Sequence, residues 1–262
     1  MAEADRWLWL GGSLLLGAVA TRIGWWLWRS QKGQTRLSRF VHSAPFPILL
    51  QMARFLYYIG LPFAALVWGH DAVVGRLLGL KPLLALAAGP VPPADLAANW
   101  AGWARDTGWA VGLGLTAWAI LAAGQWAARR TGSVPGRVAA DASAWALLRE
   151  AAFHEVHWAF YRNAPVVALG IYWGTWAGVG LVALEAVLNP WWRADLKDTE
   201  HGPGTLVRAG LAVLSASLYL ETINLWLAVL VHWGVTWGLA AWTRNLRPQE
   251  LQTTSRGHRQ RS

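Results

Sequence analysis

Apolar blocks close to the length of a bilayer crossing recur along this chain, and they leave it few ways to fold. Stretches at 6–28, 45–68, 108–128, 165–189, 206–220 and 224–242 are almost wholly apolar, with charges gathered mainly between them. A helical crossing needs ~20 such residues. Inside lipid, only helices and closed barrels satisfy their own backbone. The period-two alternation of a barrel strand is absent. The sequence therefore predicts an all-α, polytopic transmembrane helical bundle of about six to seven spans. Charged residues make up 14% of the chain, against about 25% in soluble domains, so a water-soluble fold is excluded.

The remaining composition narrows the chemistry. There are no cysteines, which removes disulfides, thiolate catalysis and thiolate-ligated metals. Basic residues outnumber acidic ones by 23 to 14. The surplus gathers in loops and in the tail, where a membrane protein keeps its topology charges, so no nucleic-acid partner is expected. The expected partner is the lipid bilayer. Many of the 21 tryptophans flank the apolar blocks, among them Trp7, Trp9, Trp25, Trp26, Trp28, Trp191 and Trp192. Such positions suit interfacial anchors.

One membrane domain is expected over 1–244, followed by a basic, polar tail at 245–262. The segment 72–88, with Arg76, Lys81 and prolines just beyond, reads as an interfacial helix or short hairpin. The third span is expected at 108–128. Asp141 or Ser143 is placed to cap a fourth helix running to Tyr161, and Pro165 to restart the chain into a fifth. The basic loops at 29–39 and 129–149 and the tail fall on one side if there are seven spans. By the positive-inside rule that places the N-terminus outside and the C-terminus in the cytoplasm, in the plasma membrane.

Two clusters could carry chemistry. The first is Arg149-Glu150-Ala-Ala-Phe-His154-Glu155-Val-His157-Trp158-Ala-Phe160-Tyr161-Arg162. On a helix, Glu150, His154, His157 and Tyr161 share a face, and Glu155, Trp158 and Arg162 lie on a neighbouring one. Ionisable residues at membrane depth are functional candidates by default. They could serve as general acid and base, or pair with groups on other helices. His154, His157 and His232 are weak candidate ligands for a divalent metal, although no His-Glu-x-x-His motif is present. The second cluster opens with Ser215-Ala-Ser217-Leu-Tyr219-Leu-Glu221-Thr222-Ile-Asn224 and runs on to Trp237; its polar knot Glu221-Thr222-Ile-Asn224 divides two apolar stretches as a tight turn would. His232 follows at mid-span, with Thr236 one helical turn beyond it on the same face. The spacing Gly170-x-x-x-Gly174-x-x-x-Gly178 permits close helix packing, against the protein's own helices or against partner subunits.

The run Leu218-Tyr219-x-x-Thr222-x-Asn224-Leu225-Trp226, with His232-Trp233-x-x-Thr236 after it, resembles the last motif of CPBP intramembrane proteases, the CAAX-processing and bacteriocin-processing membrane endopeptidases. Phe160-Tyr161-Arg162 is similar to the end of that family's first motif, with Glu155 upstream. The resemblance covers about 143–239. It implies an intramembrane endopeptidase in which a glutamate and a histidine activate water against a peptide bond of a membrane protein or lipidated peptide. By resemblance His232 is the histidine of the last motif, Arg162 the arginine of the first, and Glu155 the nearest candidate for its glutamate. Glu150 lies further upstream, His157 is a candidate second imidazole, and Thr236 stands where the family has asparagine. The chain departs from the paired glutamates at His157 and Trp158, and has no histidine in the fifth span. These departures support an alternative, a catalytically silent scaffold or complex subunit. A transporter or cofactor-binding subunit is a third class.

Overall fold

The computed structural model describes residues 2–30, 43, 45–69, 73–84, 92–130, 142–198 and 201–245. Among them there is no strand, and six helices are long and apolar enough to cross a membrane. In chain order they are α1 (Ala2–Ser30), the pair α2 (Pro45–Phe55) and α3 (Leu61–Trp68) joined by one π-helical turn (Leu56–Gly60), α4 (Pro93–Arg130), α5 (Ala144–Leu188), α7 (Gly202–Thr222) and α8 (Leu225–Asn245). A short helix α6 (Pro190–Lys197) links α5 to α7. The tail at 245–262 lies almost entirely outside the described residues.

The 45-residue α5 is a hairpin, not a rod. At Gly170 the backbone takes φ 78° and ψ 170°, a conformation open to glycine because it has no Cβ. In a straight helix, His157 and Glu185 would stand about 42 Å apart at 1.5 Å per residue. Their side chains instead meet at 3.2 Å. The two arms pack at backbone distance. A Cβ on Gly174 would lie 2.3 Å from Val166 Cα, and one on Gly178 would lie 2.9 Å from Arg162 Cα. Gly174 and Gly178 are thus spent inside the protein, while Gly170, which makes the reversal, is exposed.

Pro165 was expected to restart the chain, but it sits buried within the first arm and the reversal comes five residues later. Transmembrane helices tolerate proline because neighbouring groups satisfy the freed backbone. Ser143 is the cap: its hydroxyl accepts from Ala146 N–H at 3.2 Å. Asp141 lies outside the described residues.

α4 begins 15 residues before the expected start at Gly108. Within this added length Lys81 Nζ pairs with the fully buried Asp106 at 2.6 Å. Of the segment 72–88, residues 73–84 are described. They form a 3-10 turn (Gly75–Leu78) within otherwise irregular chain, not an α-helix or hairpin. Gly79 ends that turn in the left-handed region and presses on the α7–α8 turn, accepting from Leu225 N–H at 2.7 Å. Asn163 bonds both backbone groups of Val74, and Tyr219 donates to Leu77 O. Val73, Leu78 and Gly79 of this irregular segment are buried against protein, where freed backbone groups find partners.

Several contacts fix which helix ends lie together. Thr243 bonds Gln125, joining the last turns of α8 and α4. Trp25 stacks edge-on to Trp191, joining the end of α1 to the start of α6. Arg54 pairs with Glu150, and Ser13 with Tyr161. The chain segments that lead into the basic loops accordingly share one end of the bundle.

Overpacking a close contact costs about 1–3 kcal/mol. Gly174→Ala should therefore lower stability by that order in detergent unfolding followed by circular dichroism. Gly180→Ala, with nothing within 4 Å of its added Cβ, should not. Equal behaviour of the two variants would refute the hairpin contact.

Candidate functional site

The first arm of α5 sits at the centre of the bundle, and its polar residues diverge to opposite sides. Glu155 and Arg162 are seven apart, two turns along one side, and both face α7 and α8. His232 Nδ1 lies 2.9 Å from Glu155 Oε1. The Ser215 hydroxyl donates to Glu155 Oε2 at 2.5 Å and accepts from Arg162 Nη1 at 2.9 Å. One hydroxyl donates once and accepts twice, so Ser215 can bridge the cation to the anion. The Arg162 guanidinium also covers the Tyr219 ring at 4.7 Å. All four members of the cluster are buried: Glu155 is 1% exposed, Ser215 2%, Arg162 3% and His232 5%.

Aromatic rings close this centre. Trp158 and His154 stack on His232 at 5.4 and 5.7 Å. The crevice beside the pair, walled by Leu211, Leu214, Leu218 and Val231, is too tight to admit a water molecule. In this state the carboxylate is held by its partners and screened from solvent.

A second polar centre lies on the opposite side of the same arm, against α1, the π turn and the second arm. His157 Nε2 meets Glu185 Oε2 at 3.2 Å. Tyr57 donates to Glu185 Oε1 at 2.8 Å. Its oxygen is also 3.3 Å from that of Tyr161, which is 3.3 Å from Ser13 Oγ. The π turn places Tyr57 and Tyr58 together over His157, at 4.9 and 5.1 Å between ring centroids. Such turns recur at functional sites.

The sequence-selected residues thus divide into four places. Glu155, Arg162 and His232 come together, with His154 stacked on the imidazole. His157 belongs to the second centre. Glu150 belongs to neither: Arg54 grips both its oxygens, and Arg149 reaches it at 3.3 Å. Thr236 spends its hydroxyl on the carbonyls of His232 and Trp233 in its own helix, both at 2.9 Å. Among the described residues, no three His, Asp or Glu side chains are arranged to hold a metal ion. His154, His157 and His232 therefore do not form a ligand set, because His157 points away to Glu185.

Sequence reasoning missed Glu185 and Tyr57, and it included Ser215 in the second cluster without giving it a role. Glu185 carried a readable signal, a single carboxylate in an otherwise apolar run. Ser215 and Tyr57 carried none, since hydroxyls are ordinary in membrane helices.

Removing one partner of a buried ion pair costs about 3–5 kcal/mol, against about 1 kcal/mol or less at the surface. Glu155→Ala should therefore destabilise the chain by several kcal/mol. Glu150→Ala, whose side chain is 29% exposed, should cost far less. Unfolding in mixed micelles followed by tryptophan fluorescence measures both, and the reverse order would contradict this assignment.

Comparison with protein-family models, with curated proteins and with solved structures finds nothing that matches the chain.

Proposed function

We propose that this membrane protein is a divergent intramembrane endopeptidase of the CPBP type, acting on a membrane protein or lipidated peptide. The observation that carries the reading is the 2.9 Å contact between Glu155 and His232, residues 77 apart on different helices. By the resemblance His232 is the histidine of the last motif and Glu155 the nearest candidate for the glutamate of the first. A carboxylate and an imidazole in one low-dielectric site form an acid–base pair able to activate water. Glu155 takes a proton from water as its oxygen adds to the peptide carbonyl. The same proton then goes to the leaving amine as the C–N bond breaks. His232 and Ser215 hold the carboxylate in position, and Arg162 steadies it through Ser215. Water reaches Glu155 only when the ring layer of Trp158 and His154 shifts off His232, so the described arrangement is the closed state of the cycle.

A second reading is a catalytically silent scaffold or complex subunit. The dry crevice and the tryptophan over His232 favour it. Its earlier support from the glycine stripe is weakened, because Gly174 and Gly178 pack on the first arm.

The discriminating experiment reconstitutes the full chain in vesicles with labelled single-span peptides. The endopeptidase reading expects cleavage that falls at least ~100-fold in Glu155→Gln and His232→Ala, the usual scale for losing a general base. His201→Ala, in the exposed α6–α7 turn, should cleave as the parent does. Undiminished cleavage in both site variants would sink the reading. Absence of cleavage together with a stoichiometric co-purifying partner would establish the silent one.

In the same proposal the N-terminus is outside and the C-terminus cytoplasmic in the plasma membrane, with the basic loops facing the cytoplasm. A fluorescent protein that folds only in the cytoplasm should light up when fused to the C-terminus. A reporter active only outside should work from the N-terminus. The opposite pattern would invert the topology.

A further inference from the structure

A cleft of about 470 Å³ opens between α2 and the first arm of α5. Its walls are Ile48, Met52, Phe55, Leu56 and Phe153, and Gln51 and Arg149 supply its polar groups. None of the 11 residues of α2 is buried, so this helix stands off the bundle and leaves the cleft open to its surroundings. In a bilayer such a space cannot stay empty, since its lining would forgo dispersion contacts.

The charges beside it are unbalanced. Arg54 and Arg149 share one carboxylate, that of Glu150. Among the described residues, two guanidinium groups against one carboxylate leave a net single positive charge at an apolar cleft. Two further polar atoms there are buried with no partner among the described residues, Arg149 Nε and Gln51 Oε1. A free N–H donor beside surplus positive charge suits a phosphate oxygen. The depth also fits. Arg149 is five residues into α5, about 8 Å from its start at 1.5 Å per residue, and a long arginine reaches the headgroup level from there.

We propose that this cleft binds an anionic phospholipid, with one acyl chain along Ile48, Met52, Phe55 and Phe153 and its phosphate at Arg149. A second copy of the chain is a poorer occupant. Its apolar helix would fill the cleft and leave the surplus cation and the Arg149 Nε–H desolvated without a partner. The inference is independent of the endopeptidase reading, since it uses neither Glu155 nor His232.

Native mass spectrometry of the full chain, with equal phosphatidylglycerol and phosphatidylcholine of matched acyl chains, tests it. The parent chain should retain the anionic lipid over the zwitterionic one by roughly fivefold, the equivalent of about 1 kcal/mol per basic residue near a charged surface. Arg149→Gln should abolish that preference. Met52→Trp, at a position 57% exposed and so tolerant of substitution, should reduce retention of both lipids by filling the cleft. Equal retention of the two lipids by the parent chain would overturn the proposal. So would a preference that survives Arg149→Gln, or undiminished retention in Met52→Trp. A photo-crosslinking amino acid placed at position 52 identifies the occupant directly. Adducts of lipid mass are expected, and a covalent dimer or other protein-sized adduct would overturn the assignment.

Discussion

A carboxylate cannot be left bare in the middle of a membrane bundle, and Glu155 is where this chain meets that constraint. The desolvation cost of a buried charge is several kcal/mol, recovered only if partners close around it with good geometry. Here those partners come from elsewhere in the chain: His232 from α8, and Ser215 from α7 with Arg162 behind it. The packing of α5, α7 and α8 therefore has to place three polar side chains as well as fill a core. The apolar residues Trp158, Leu211 and Leu214 that surround the cluster are buried in one hydrophobic group. They keep the dielectric low, which strengthens the pair and excludes water at the same time.

The second constraint is the hairpin at Gly170. Because α5 doubles back, its second arm delivers Glu185 to the far side of the helix that carries Glu155. One arm thus serves two polar centres that share no hydrogen bond among the described residues, one toward α7 and α8 and one toward α1 and the π turn. Such separation explains why His157, two residues from Glu155, takes no part in the Glu155 cluster. At 100° per residue, a spacing of two turns the side chain through about 200°. Close packing of the arms, in turn, needs the bare backbone of Gly174 and Gly178.

The membrane-bundle fold was legible because apolar run length is a direct physical requirement of lipid. The cap at Ser143, the α7–α8 turn after Thr222 and the mid-span place of His232 followed from local chemistry. The common side of Glu155 and Arg162 followed from helical period. The break in α5 was misplaced because proline reads as a stop in water, whereas within protein in a membrane it need not be one. The start of α4 was misplaced because the apolar run that marks a bilayer crossing begins only near Gly108, while the helix itself extends N-terminally to Pro93, where Asp106 is paired with Lys81. Ser215 and Tyr57 became visible only with the fold, since what distinguishes them is the residue across from them, 60 and 128 positions away respectively.

The account rests on Glu155 and His232 acting as one unit, and a double-mutant cycle on unfolding free energy measures that coupling without any substrate. Glu155→Gln, His232→Gln and the double variant would be compared with the parent chain in mixed micelles. Side chains in one buried hydrogen-bond network show coupling of about 0.5–3 kcal/mol, whereas independent sites add to within about 0.3–0.5 kcal/mol. A coupling above 1 kcal/mol is the predicted result. Strict additivity would mean that the two residues do not meet in the membrane, and would contradict the site as described.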